Sequence, residues 1–261
     1  MKPALAFDSP KKPTQWRDMP NGELIAENIE QYLLPWWPRF FGYHLLKLGI
    51  LSGAINSEQS MIKHQVIVGE AKANAQVVAE IDDLPFLEHS VDACLLTHGL
   101  EFSVDPHHIL READRVLIPN GHLIITGFNP ISLAGLNRLI PFRRQELPWR
   151  GRFFTPMRVK DWLHLLGYEI IEDKRFLFSS LNSVINPEKW WRKVWQKFAE
   201  NYLSSFGSVY VIIAKKRVHP LTPIRPKWQI RPKFNPVKVT TFGPSNFKPN
   251  SFNENNPTST E

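Results

Sequence analysis

The chain contains a single cysteine, Cys94, among 261 residues. That excludes an internal disulfide and suits a reducing compartment. Cys94 lies inside a short apolar run, so it reads as a small buried residue rather than a nucleophile. Long hydrophobic runs are missing too. The most apolar region, residues 32–51, is interrupted by Pro35, Pro38, Arg39, His44 and Lys47, which rules it out as a transmembrane segment. Met1-Lys2-Pro3 is followed by too short an apolar segment for a secretory leader. The expectation is a cytoplasmic chain. There are no paired cysteines and no His-Glu-x-x-His, and the neighbours His107-His108 lack metal-ligand spacing, so no metal site is expected. There is no internal repeat.

Excess positive charge is absent from most of the chain. The formal net charge is +7, yet residues 216–261 alone hold 5 Lys and 3 Arg against 2 Glu, a net of +6. The remainder has 24 basic and 23 acidic residues, a net of +1. The basic character therefore belongs to a tail and not to a nucleic-acid-binding domain. Seven prolines fall between residues 218 and 250, interspersed with Lys, Arg, Trp228 and Phe234, and a stretch rich in Asn, Ser and Thr follows. Apolar periodicity is lost there, which predicts a disordered basic tail over 216–261. Such a tail suits electrostatic binding of nucleic acid or an anionic surface, and equally a solubilising extension.

Residues 1–20 are polar and proline-rich, which predicts a flexible arm, and residues 21–215 form the expected domain. The length allows a substantial core, and 43 % hydrophobic and 22 % charged residues are the proportions of an ordinary globular protein. Short apolar runs predict strands at 44–48, 65–68, 76–79, 91–97, 122–127, 168–171 and 207–214. Residues 21–43 read as a helix and a turn. Their aromatic cluster, Trp36, Trp37, Phe40 and Phe41, suits either core packing or the roof of a ligand pocket.

Two further helices are marked at both ends. Asp105 is placed to cap one and Pro106 to begin it, with Ile109, Leu110, Ala113, Val116 and Leu117 on one face and Pro119-Asn120-Gly121 as the stop. Thr155 and Pro156 open another, with Val159, Trp162, Leu163 and Leu166 on one face and Gly167 after it. Residues 131–140 suggest a helix. Residues 187–206 suggest one more, striped by Trp191, Trp195, Phe198 and Tyr202 and flanked by Arg192, Lys193 and Lys197. That helix fits docking on the sheet, and also a membrane surface or an acceptor lid. A strand, a capped helix and a strand with short connections specify a right-handed crossover in an α/β domain.

The same stretch carries a family likeness. Leu84-Pro85-Phe86, Val91-Asp92, His98-Gly99-Leu100-Glu101, Leu110-Arg111-Glu112, Arg115-Val116-Leu117 and Gly121 resemble, in order and spacing, the second half of a class I S-adenosylmethionine-dependent methyltransferase. The branch it resembles methylates small molecules, lipids and quinones. The chain is also similar to a bacterial group of methyltransferase-like proteins with an altered glycine loop. The resemblance implies an α/β, Rossmann-like, seven-stranded and mostly parallel sheet with helices on both faces. It also implies S-adenosylmethionine as cofactor, bound at the carboxyl ends of the strands.

Carried onto this sequence, the resemblance puts Gly49 and Gly53 at two glycine positions of the first loop. Glu70 falls where an acid holds the ribose, Glu80 and Asp82 where acids read the adenine amino group, Leu84 and Ile81 beside the ring, and Thr97 in the lining. Lys47 stands where the family has an acid and Leu51 where it has the middle glycine; the lysine repels the cofactor's ammonium and the leucine crowds the loop. His98 is the candidate general base, since imidazole titrates near neutrality, and it also suits a structural histidine at a strand end. Asn129-Pro130 lacks the second proline and aromatic residue of amino-group methyltransferases and follows the wrong strand. The implied function is methyl transfer to an unidentified acceptor, a small molecule being favoured, mainly by alignment. The alternative, motivated by Lys47 and Leu51, is a catalytically degenerate binding or regulatory module associated with nucleic acid through its tail.

Overall fold

The computed structural model describes residues 12–70, 75–140, 142, 146–181, 204–217 and 243. It folds the apolar runs into β1 (His44–Leu48), β2 (His64–Gly69), β3 (Val77–Val78), β4 (Val91–Thr97), β5 (Leu117–Phe128), β6 (Tyr168–Phe176) and β7 (Val209–Lys216). These make one seven-stranded sheet in the order β3-β2-β1-β4-β5-β7-β6. The first five strands pair in parallel, and β7 runs antiparallel between β5 and β6. Met1–Pro220 form one compact unit and Leu221–Glu261 a separate one, of which Gly243 alone is described.

The central strands are mostly apolar and buried because both faces are covered. Side chains alternate across a strand, so Leu46 and Leu48 of β1 join Cys94 and Leu96 of β4 on one face. There they meet α3 (Pro106–Val116) and α5 (Pro156–Leu165) through Ile109, Leu110, Ala113, Val159, Trp162 and Leu163. Leu45, Ala93 and Leu95 point to the other face, against Ile25, Ile29 and Leu33 of α1 (Gly22–Leu33). Trp37 and Phe40 are buried in that second layer, whereas Phe41 is exposed. The aromatic cluster after α1 is therefore core and not a ligand roof. Burial within β4 pushes the Cys94 thiol well above its ordinary pKa, as expected of an inert apolar residue. No helix among the described residues is long and apolar enough to cross a membrane.

Asp105 caps α3 by accepting the amides of His107 (3.0 Å) and His108 (3.1 Å). Thr155 caps α5 by accepting the Arg158 amide at 3.3 Å. The stop of α3 lies earlier than Pro119. Leu117 is already extended and pairs with Val91, and the register resumes with His122 opposite Ala93. Pro119-Asn120-Gly121 is thus an excursion of β5, with Asn120 at φ 66°, because the residue before a proline favours extended backbone.

Four other expectations change. Residues 131–140 form a short α4 (Leu133–Leu136) and one 3-10 turn (Asn137–Leu139), not one helix. Gly135 and Asn137 are weak helix formers, and the Asn137 side chain donates instead to the Ser180 carbonyl at 2.6 Å. β6 extends to Phe176, since β7 supplies partners along its length. Residues 12–20, within the expected arm, are folded onto the domain. Asp18 Oδ2 accepts from the Thr14 and Gln15 amides at 2.7 and 2.9 Å, and Trp16 and Met19 are buried. Lys216, assigned to the tail, is the last residue of β7; its Nζ donates to the Asp114 and Leu117 carbonyls at 2.5 and 3.1 Å. The aromatic stripe at 187–203, residues 1–11 and the basic segment from 218 onward (Gly243 apart) lie outside the described residues.

Arg115 fastens the loop after β3 to α3. Its guanidinium bonds both Glu112 oxygens (2.9 and 2.8 Å) and the carbonyls of Phe86 and Leu84 (2.9 Å each). The Arg115 hydrogen bond holds the Glu112 carboxyl below its ordinary range, against the opposing effect of burial. A carboxyl lowered in the folded state adds stability above the unfolded group's pKa and loses it as pH falls through the folded value. Glu112→Gln should therefore lower the denaturation midpoint at neutral pH, and its gap from wild type should close on acidification through the carboxylate range. A gap independent of pH would contradict this account. Asp105→Ala should cost about 1 kcal/mol in chemical denaturation.

Candidate functional site

β1 and β4 are neighbours in the sheet, yet the chain leaves them in opposite directions, toward β2 and toward β5. A crevice opens at such a switch point, outside the carboxyl ends of the strands. Gly49 turns the chain out of β1 at φ 86°, ψ 156°, and its amide donates to the Val68 carbonyl at 2.8 Å. The four-residue α2 (Ile50–Gly53) follows. Ser52 Oγ donates to the Leu48 carbonyl at 2.6 Å and accepts the Thr97 amide at 2.8 Å, tying the ends of β1 and β4 together.

The crevice has a volume of about 150 Å³, and its lining includes Gly49, Leu51, Glu70, Ile81, Thr97 and His98. Five residues expected from the sequence, Gly49, Glu70, Ile81, Thr97 and His98, are thus brought together. A Cβ at Gly49 would meet nothing within 4 Å, so the backbone there faces open space.

Other expected residues are elsewhere. Gly53 faces β2, where a Cβ would lie 2.7 Å from the Ile67 side chain, a close-packing role. Leu84 is buried in the core beside α3, so of the two expected apolar residues Ile81 alone walls the crevice, joined by Phe102. Glu80 is exposed and Asp82 half-buried, and neither lines the crevice. Lys47 also points away: Nζ donates to the Ile55 carbonyl at 2.8 Å. Burial lowers the Lys47 pKa, partly offset by Glu30. The expected clash of its ammonium with a ligand has no geometric basis, whereas Leu51 does crowd the lining.

Residues 12–16 form a strap over this site, which the polar, proline-rich sequence gives no sign of. Lys12 pairs with Glu70, both partly exposed. Trp16 is 6 % exposed, donates from Nε1 to the Leu51 carbonyl at 3.2 Å, and meets the His98 ring edge-on at 5.7 Å. A larger groove of about 570 Å³ shares Thr14, Ile50 and Leu51 with the crevice and is lined on α1 by Glu23, Glu27 and Glu30. Of the expected site residues it touches Gly53 alone, whereas Gly49, Glu70, Thr97 and His98 line the smaller cavity.

His98 is held at φ 51° between Trp16 and Phe128, whose ring stacks on it at 4.1 Å. Its Nδ1 lies 3.4 Å from Oε1 of Glu101, and both side chains are fully buried. Glu101 was given no role at the site by the sequence, although it belongs to the His98-Gly99-Leu100-Glu101 segment that carries the family likeness. Among the described residues no cluster of His, Cys, Asp or Glu is arranged to hold a metal ion.

Residues 45–125 match the family model of a methyltransferase domain. The chain is 43 % identical over 222 residues to the uncharacterized protein YafS of Escherichia coli strain K12, covering 85 % of this chain and 88 % of that one. It is 25 % identical over 126 residues to the uncharacterized protein MJ1123 of Methanocaldococcus jannaschii, 48 % of this chain and 62 % of that one. A solved S-adenosylmethionine-dependent methyltransferase from Archaeoglobus fulgidus shares the fold, with a TM-score of 0.52 at 18 % identity over 73 % of this chain and 94 % of that one. The chain belongs to the family of the uncharacterized protein YafS, and its residues 45–125 match a methyltransferase domain.

Proposed function

We propose that this protein transfers a methyl group from S-adenosylmethionine to a small-molecule acceptor, with the cofactor in the crevice at the carboxyl ends of β1, β2 and β4. The convergence of Gly49, Glu70, Thr97 and His98 on one cavity carries this reading. S-adenosylmethionine supplies an electrophilic methyl group on a sulfonium. The chain's own residues bind and orient. The bare backbone of Gly49 admits close approach, Glu70 offers a carboxylate to two vicinal hydroxyls, and Ile81 and Phe102 give apolar walls to a flat base. We assign the base contact to these two rather than to Glu80, Asp82 or Leu84.

These residues fit the cofactor in kind, and the strap sets the size. A cavity of about 150 Å³ is below the roughly 300 Å³ at the lower end of ligand sites. Lys12, Pro13 and Thr14 occupy part of its lining, and Lys12 holds the carboxylate a ribose needs. Binding therefore displaces Lys12. A small acceptor is favoured because His98 is enclosed by the rings of Trp16 and Phe128. The single buried cysteine supports a cytoplasmic setting. The degenerate-module alternative loses the support of Lys47, which turns away from the crevice.

Calorimetric titration with S-adenosylmethionine and S-adenosylhomocysteine tests the reading. Micromolar binding is expected, weakened tenfold or more in Glu70→Ala, which corresponds to about 1.4 kcal/mol. Lys12→Ala should bind more tightly, because Glu70 is freed. Gly49→Ala should lose about 1–2 kcal/mol of stability from its left-handed backbone and bind more weakly. No binding by folded wild type at millimolar cofactor would favour the degenerate module.

A further inference from the structure

Beside the crevice, buried polar groups retain hydrogen-bonding capacity that cofactor binding leaves unused. Glu101 Oε1 accepts the Phe128 amide at 2.7 Å and faces His98 Nδ1 at 3.4 Å. Glu101 Oε2 and His98 Nε2 have no hydrogen-bond partner among the described residues, and neither does the Tyr210 hydroxyl of β7. Tyr210 adjoins the pair: a Cβ at Gly127 would lie 2.3 Å from its hydroxyl and 2.7 Å from Glu101 Oε1. Burial pushes the Tyr210 pKa well up, and the charge of Glu101 adds to the shift, so Tyr210 stays a neutral donor. Each unmet buried polar group costs stability. The left-handed backbone of His98 adds strain to that cost. A histidine that merely ends a strand requires neither, whereas a base waiting for a substrate proton requires both an oriented ring and a free nitrogen.

We propose that Glu101 is the positioning residue of a His98 general base, and that the acceptor is accordingly an O–H or N–H nucleophile. The proposal rests on the methyltransferase reading above. Glu101 Oε1 accepts from Nδ1–H, which fixes the tautomer and leaves the lone pair on Nε2, the ring nitrogen without a partner. The 3.4 Å separation exceeds the usual hydrogen-bond range of about 2.7–3.2 Å; catalytic hydrogen bonds are often long before substrate arrives. During transfer the acceptor's oxygen or nitrogen bonds to the methyl carbon as the carbon–sulfur bond breaks, its electron pair remaining on sulfur. The acceptor's O–H or N–H bond breaks, and the proton goes to His98 Nε2. Positive charge is lost from the sulfonium and gained by the imidazolium, beside the Glu101 carboxylate. Phe128 and Trp16 keep water from competing for the proton.

Nitrogen-15 NMR of the histidine side chains in the full-length protein tests the pairing without a known acceptor, with His98→Asn assigning the signal. Wild type should show His98 with its proton on Nδ1 by about tenfold or more, the preference of a charge-assisted hydrogen bond. Glu101→Met, similar in size and without an acceptor, should lose that preference. Glu101→Gln, which keeps a carbonyl oxygen, should retain part of it. A proton on Nε2 in wild type would overturn the proposal, whatever the variants do. So would an unchanged His98 signal in Glu101→Met with a native amide spectrum, the result expected if Glu101 served only to hold the Phe128 amide. Failure of wild type to bind cofactor in calorimetry would instead undo the methyltransferase reading while leaving the tautomer measurement standing, so the two failures are distinguishable.

Discussion

The site depends on one lateral contact, that of β1 with β4. The chain winds outward from β1 through β2 to β3, then crosses back and winds the other way from β4 to β5. The loops leaving β1 and β4 consequently diverge and open a crevice between them. Backbone pairing of Leu45–Leu48 with Ala93–Leu96 aligns the strands, and one buried hydroxyl locks their ends. Ser52 Oγ is donor to the Leu48 carbonyl and acceptor of the Thr97 amide. The glycine turn and the His98 loop are thereby held relative to each other through a single side chain.

The strap over this crevice is secured unevenly. The Lys12–Glu70 pair is partly exposed, and surface ion pairs contribute about 0–1 kcal/mol. Trp16 is buried, its indole bonded to the Leu51 carbonyl, and an apolar side chain so placed contributes about 1.5–3 kcal/mol. The magnitudes separate two roles. Lys12 yields readily to a ligand that competes for Glu70, while Trp16 remains against His98 and keeps its ring from solvent. On the proposed reading, ligand entry and the shielding of His98 fall to different residues of one short segment.

Much of this arrangement was legible in the residues. Asp105-Pro106 and Thr155-Pro156 marked their helix starts because a side-chain oxygen meets free amides and proline needs none, which are local facts. The buried strands were legible because a parallel sheet covered on both faces demands uninterrupted apolar runs. Gly49, Glu70, Thr97 and His98 were reached through a family likeness in order and spacing. Ile81 and Leu84 show where that stops. Both are apolar and close in sequence, and the direction of the loop after β3, fastened by Arg115, sends Leu84 into the core and Ile81 to the crevice.

The sequence by itself determined the layered α/β architecture and the starts of α3 and α5, because each follows from periodicity and capping within a few residues. Only the tertiary structure decided which way a polar side chain turns. Lys47 reads as a repulsive charge until Ile55 is seen to hold its ammonium. Glu101 is one residue of a family motif until it is found buried against His98, and Trp16 part of a loose arm until Leu51 and His98 are found to hold it. In each case the deciding partner comes from another turn or strand end, and a polar or aromatic residue takes its role from that partner.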